Sequence, residues 1–239
     1  MSDLVIISGA SSGLGLALAR TVPFPATVVD ISRSGPPDER IDHIAADLSD
    51  PSSWGTVGEA IRGLVASHDP DRSVFIHAAG TLTPIGFAGE VDSDAYASNV
   101  VLNSASGQVL GHLFLKAVRD RSGTFDVVMI SSGAASSAYP GWSSYGAGKA
   151  ALNHWVRNVG AEQRERGDVR VAAIAPGVVA TGMQSQIRET SERDFPNVER
   201  FHGLHEEGKL AQPEDAASKI WTAIGRGIET GAVIDIRDL

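Results

Sequence analysis

Tyr145 and Lys149 stand four apart in "SSYGAGKAAL", residues 143–152, in a chain that has only three tyrosines among 239 residues. On a helix that spacing puts both side chains on one face. A free phenol has a pKa of about 10, and an ammonium beside it favours the phenolate and lowers that value. Such a pair can give or take a proton at a carbonyl oxygen. Ser132, at the end of the apolar run "VVMISS", offers a hydroxyl to hold the same oxygen. The chemistry these three suit is addition of hydride to a ketone, and the hydride has to come from a cofactor.

A second stretch points to that cofactor. "SGASSGLG", Ser8 to Gly15, follows an apolar run and opens a helical pattern. Glycines at 9, 13 and 15 allow a sharp turn, close approach of backbone to a pyrophosphate, and tight packing of helix on sheet. The end of the second apolar run, "VVDISRS", carries both Asp30 and Arg33. An acid at this point bonds a ribose 2′-hydroxyl and prefers NAD, whereas an arginine accepts a 2′-phosphate and prefers NADP. "HAAG", His77 to Gly80, ends the fourth run in small residues, and His77 reads as a hydrogen-bonded structural histidine. His202 and His205, with Glu206 and Glu207, read as a solvated loop, so no metal site is expected.

The elements that must position these residues alternate. Strands are predicted at 4–8, 26–32, 43–47, 74–78, 127–131, 169–175 and 232–236, and helices at 14–21, 52–66, 94–121, 145–166 and 214–227. Continuous apolar strands suit a sheet buried on both faces. Strand–helix alternation predicts parallel strands with right-handed crossovers. The stretch 181–210, charged and broken by Pro196, Gly203 and Gly208, reads as irregular, either a lid or a surface excursion. The net charge of −9 argues against nucleic acid or an anionic membrane as partner. Without cysteine there is no thiolate chemistry. The amino terminus reads as a first strand and no apolar run reaches membrane length, so a cytoplasmic protein is expected.

Taken together, the chain resembles a classical short-chain dehydrogenase/reductase. The glycine loop, Asp47 of "ADL", "HAAG" in place of the usual Asn-Asn-Ala-Gly, Asn99, Ser132, Tyr145, Lys149 and "PGVVATGM" from Pro176 carry the likeness along the whole length. "GTLTPIG", "GWSSYGAGKAA", "TGMQSQIRETS", "EEGKL" and "GAVIDIRD" are similar to the sepiapterin reductase and bacterial benzil reductase subgroup.

The resemblance implies one Rossmann-type α/β domain over 1–239. Its doubly wound sheet would have about seven mainly parallel strands in the order 3-2-1-4-5-6-7, with 181–210 as the substrate lid. It implies Tyr145 as proton donor, Lys149 lowering its pKa and holding the nicotinamide ribose, Ser132 orienting the carbonyl, and Asn99, in preference to Asn103, completing a proton relay. It places the coenzyme against Gly9, Ser11, Ser12, Gly13, Leu14 and Gly15, then Ser32 and Arg33, Asp47 and Leu48, Ala79 and Gly80. Tyr145, Lys149, Pro176, Gly177, Val178 and Thr181 would complete that set. Ser32 stands where an NAD-selecting acid would be, with Arg33 beside it, which favours NADPH over NADH. Leu82, Trp142 and Met183 would wall a small dicarbonyl, and Asp235 falls where sepiapterin reductase holds an acid. The implied protein is an NADPH-dependent carbonyl reductase, pairing as a homodimer or homotetramer through the helices that carry Leu110, Phe114, Trp155 and Val159. The alternatives are an NAD-dependent alcohol dehydrogenase of the same family and a dinucleotide sensor without turnover.

Overall fold

A computed structural model describes residues 3–167 and 169–238. The expected span 1–239 also includes residues 1, 2, 168 and 239, which lie outside the described residues. The seven strands are β1 (Asp3–Ser8), β2 (Ala26–Ser32), β3 (Asp42–Ala45), β4 (Arg72–His77), β5 (Thr124–Ile130), β6 (Val169–Ala175) and β7 (Val233–Asp235). They form one sheet in the order β3-β2-β1-β4-β5-β6-β7. Each neighbouring pair is parallel. The order reverses between β1 and β4, and in open parallel sheets ligands bind beyond the strand ends at such a switch point.

Alternate residues of each strand feed opposite faces. Val5, Ile7, Val74 and Ile76 pack with α1 (Gly13–Arg20) and α8 (Pro213–Arg226). Leu4, Ile6, Phe75 and Val127 pack on the other face with α2 (Trp54–His68), α4 (Ser106–Val118) and α5 (Ser143–Arg166). Phe75 stacks on Phe114 at 5.7 Å. Pro213 in the first turn of α8, with Glu214 and Asp215 beside it, suits a helix start that lacks N–H partners and favours negative charge.

The helix expected over 94–121 is not one regular helix. It runs as α3 (Ser93–Val100), a wide π turn at Val101–Ala105, and α4. Such wide turns bulge the backbone locally, and this one lies beside the site. The stretch 181–210 is also more ordered than its composition suggests. It carries α6 (Gly182–Arg188) and α7 (Val198–Glu206). Its two ends are tied together where Ala211 N–H donates to the Val178 carbonyl and Ala180 N–H to the Ala211 carbonyl, each at 2.9 Å. Leu110, Phe114 and Val159, taken as signs of pairing, are buried against the chain's own sheet. They carry no argument for an oligomer, and only Trp155 of that set is partly open.

Candidate active site

A cavity of ≈ 610 Å³ opens at the carboxyl ends of the strands, running from the glycine loop to α6 and α7. Its lining explains the glycines. Gly9 has φ +82°, and a Cβ there would stand 2.7 Å from the Ala79 backbone. A Cβ on Gly15 would overlap the Gly9 carbonyl. Gly13 has φ +55°, and a Cβ there would stand 3.3 Å from the Thr181 methyl. Side chains at 9 and 15 would therefore collide with the chain's own backbone, and glycine lets the loop close tightly so that bare backbone lines the cavity at the start of α1. That is a fit for the pyrophosphate of a dinucleotide. Ser11, Ser12 and Leu14 line the same wall, as do Ser32, Arg33, Asp47, Leu48, Ala79 and Gly80. Pro176, Gly177, Val178 and Thr181 line the cavity too.

Asp30 sits apart from these. It is wholly buried and binds the chain to itself: its carboxylate accepts from Ala10 N–H at 2.7 Å, from the Ser32 hydroxyl at 2.5 Å, and faces His43 Nδ1 at 2.9 Å. With all its bonding committed inside, it cannot serve a ribose. Arg33 is exposed on the cavity wall and electrostatically coupled to Asp47, whose carboxyl lies below its usual range chiefly through the Ser49 hydroxyl.

At the other end Ser132, Tyr145 and Lys149 converge. The Ser131 hydroxyl donates to Asn153 Oδ1 at 2.6 Å, which leaves Ser132 as the serine beside Tyr145. Lys149 is buried and donates to the Ile130 carbonyl at 2.9 Å. Burial pulls its ammonium down to about 8. Its Nζ lies 5.9 Å from the centre of the Tyr145 ring. The expected lowering of the tyrosine is reversed here: burial pushes the Tyr145 phenol up, with Ser132 acting weakly in the opposite sense. At that separation, with its charge directed at the Ile130 carbonyl, the lysine does not overcome the desolvation of a phenolate.

Asn99 does not line the cavity. Its amide donates to the carbonyls of Thr81 (3.2 Å) and Thr83 (2.8 Å), and its oxygen accepts from Asn103 at 2.9 Å. Asn103 does not line the cavity either, but it reaches Gly80 beside Lys149. A Cβ on Gly80 would stand 2.8 Å from Asn103 Oδ1 and 3.4 Å from Lys149 Nζ, and one on Gly148 would touch the Asn103 backbone. The Asn103 side chain clamps Thr81 through both its backbone groups, at 3.1 and 2.7 Å. Asp235 also stands outside the cavity. It holds Arg237 through Nε at 2.8 Å and Nη2 at 2.6 Å, so the group offered to the cavity is Arg237. His77 is fully buried in the core. Its Nδ1 lies 2.8 Å from the Ser8 hydroxyl, and burial together with the Lys149 charge pulls it down to about 3.

Leu82, Trp142 and Met183 do meet, in an apolar cluster over Tyr145. Trp142 stacks on Phe195 at 4.5 Å and meets the Tyr145 ring edge-on at 5.7 Å. Tyr139 and Phe201 complete the cluster, and Arg200 of α7 donates to the Tyr139 hydroxyl at 3.0 Å. Tyr139, Arg200 and Phe201 were not anticipated. Two of them come from the tract read as irregular, where no period marks a buried face.

The family model for short chain dehydrogenase matches residues 3–192. The chain belongs to that family. It is 35% identical over 248 residues to a benzil reductase ((S)-benzoin forming) from Bacillus subtilis, covering 99% of each chain. It is 30% identical over 255 residues to the sepiapterin reductase of Rattus norvegicus, covering 98% of this chain and 96% of that one. Among solved structures, a short chain dehydrogenase/reductase from Saccharomyces cerevisiae superposes with a TM-score of 0.84 at 25% identity, covering 99% and 96% of the two chains. The family places the chain among the oxidoreductases, as the residues around Tyr145 imply. Among the described residues no helix is long and apolar enough to cross a membrane, and no cluster of three or more metal-ligating side chains occurs.

Proposed function

We propose that this protein is an NADPH-dependent carbonyl reductase acting on a small vicinal dicarbonyl, benzil-like or sepiapterin-like. The observation that carries the reading is the convergence of Ser132, Tyr145 and Lys149 at one end of a cavity whose other end is the glycine cradle. The benzil and sepiapterin reductases named above support the substrate class. Arg33 supports NADPH: it faces the cavity where a 2′-phosphate would lie, while Asp30 is committed to Ala10, Ser32 and His43.

Bound in the cradle, the reduced nicotinamide supplies the hydride that no side chain can. Ser132 holds the carbonyl oxygen. Tyr145, whose raised pKa keeps it protonated, donates to that oxygen as negative charge develops there. The Lys149 ammonium stabilises the phenolate left behind, and burial makes its charge act through little solvent. Asn103, rather than Asn99, fixes Thr81 and the loop after β4 beside Lys149. The cluster of Trp142, Leu82 and Met183 excludes water and receives the apolar body of the substrate, with 181–210 as the lid. Pairing of two copies along the groove between α4 and α5, lined by His112, His154 and Trp155, belongs to the same reading.

The test is coenzyme oxidation by purified protein, with NADPH and NADH in parallel on benzil, butane-2,3-dione and sepiapterin. The reading expects turnover with NADPH preferred. NADH preference on every substrate would move it to the NAD-dependent alternative. Tight coenzyme binding without turnover on any would favour a sensor.

A further inference from the structure

The cavity has a cationic end that reduction of a neutral diketone does not use. Arg200, on α7, and Arg237, after β7, both line it. Arg237 is neutralised by the two-pronged contact with Asp235. Arg200 is not. Its Nη1 donates to the uncharged Tyr139 hydroxyl at 3.0 Å, its guanidinium stands 5.9 Å from that ring, and among the described residues no carboxylate lies within 4.0 Å of it. Elsewhere Arg40, Arg62, Arg121 and Arg170 each hold an acid. Arg200 is solvent-exposed and, like Arg33 on the same cavity, holds no carboxylate among the described residues.

A chain of side-chain contacts links the guanidinium to the reacting centre. The Trp142 ring lies 5.7 Å from Tyr145 and the Tyr139 ring 5.1 Å from Trp142. Tyr139 then fixes Arg200. A molecule with its carbonyl at Tyr145 and an apolar body along Trp142 would end at Arg200. A guanidinium has five N–H donors in a rigid fork, and Tyr139 engages one nitrogen, so a forked pair remains for a planar anion.

We propose that Arg200 recognises a carboxylate on the substrate. The substrate class is then a ketone or vicinal dicarbonyl with an aryl-sized apolar body and a carboxylate at the end remote from the reduced carbon. This rests on the carbonyl reductase reading of the same site.

The test compares benzil with 4-carboxybenzil, which differ by that one group, in the unchanged enzyme, Arg200→Met and Arg200→Lys. The quantity read is the ratio of kcat/KM for the acid to that for the neutral diketone. For an exposed guanidinium one charge-assisted contact is worth roughly tenfold, the low end of the range. The ratio is expected to exceed one in the unchanged enzyme, fall about tenfold in Arg200→Met, recover in part in Arg200→Lys, and shrink with added salt. A ratio that Arg200→Met leaves unchanged would overturn the proposal. Binding of both compounds to a Tyr145→Phe protein, with and without Arg200→Met, separates the two readings. Selective loss of the acid's affinity there, without turnover in the unchanged enzyme, supports anion recognition and sinks the reductase assignment. Equal affinities in both proteins sink anion recognition alone.

Discussion

Replacing Trp142 by alanine tests how the lid is held over the reacting centre. Trp142 is 6% exposed and touches Tyr139, Tyr145, Phe195 and Phe201. Truncating a buried tryptophan costs about 3–5 kcal/mol. Against this, its Nε1–H is buried without a partner. Removing an unsatisfied buried donor returns about 1–3 kcal/mol. The net loss is about 2 kcal/mol or somewhat more, which raises the open population of the lid about thirtyfold. The cluster is separate from the two that flank the sheet. The loss therefore falls on local opening rather than on global unfolding. Hydrogen exchange over 182–206 should accelerate by that factor while the sheet amides keep their protection, and KM for benzil should rise. Trp142→Phe, which keeps a ring and drops the orphan N–H, should lose much less. Unchanged exchange over the lid and unchanged KM in Trp142→Ala would refute the reasoning.

Three further outcomes follow from the geometry. Arg33→Ser should reduce the preference for NADPH over NADH by roughly tenfold to a hundredfold, the worth of one charge-assisted phosphate contact; paired kcat/KM values for the two coenzymes check it. His77, lowered to about 3 in the fold from 6.5, stays neutral while the unfolded chain takes up its proton. Stability is therefore full above pH 6.5 and lost as pH falls toward 3. Urea titrations of His77→Asn should show a shallower acid loss than the parent. Lys149, near 8, is charged below that pH and neutral above it. Ketone reduction should therefore be level below pH 8 and fall as pH rises through it, which the pH profile of kcat/KM reads directly.

The central strands were legible because parallel strands buried on both faces are continuous apolar runs, as in Val127–Ile130 and Val169–Ala175, while the sheet order came from the family resemblance. The cavity wall was legible where a position tolerates few residue types, as at Gly9 and Gly15. What was not legible depends on local geometry and on contacts distant in sequence. That Asn103 reaches Gly80 while Asn99 binds the Thr81 and Thr83 carbonyls turns on a wide turn that interrupts the helix. The fate of Asp235 turns on Arg237, two residues on, whose guanidinium reaches back to it. The order within 181–210 comes from Phe195, Val198 and Phe201 packing on Trp142, more than 50 residues earlier in the chain. The direction of the Tyr145 shift turns on burial, which a motif does not display.

The most direct measurement is made on Tyr145→Phe: NADPH affinity by fluorescence titration beside benzil turnover. The account predicts affinity close to that of the unchanged enzyme with turnover lowered by 10²-fold or more, on the order expected for a lost general acid. Turnover at the unchanged rate in that variant would contradict it.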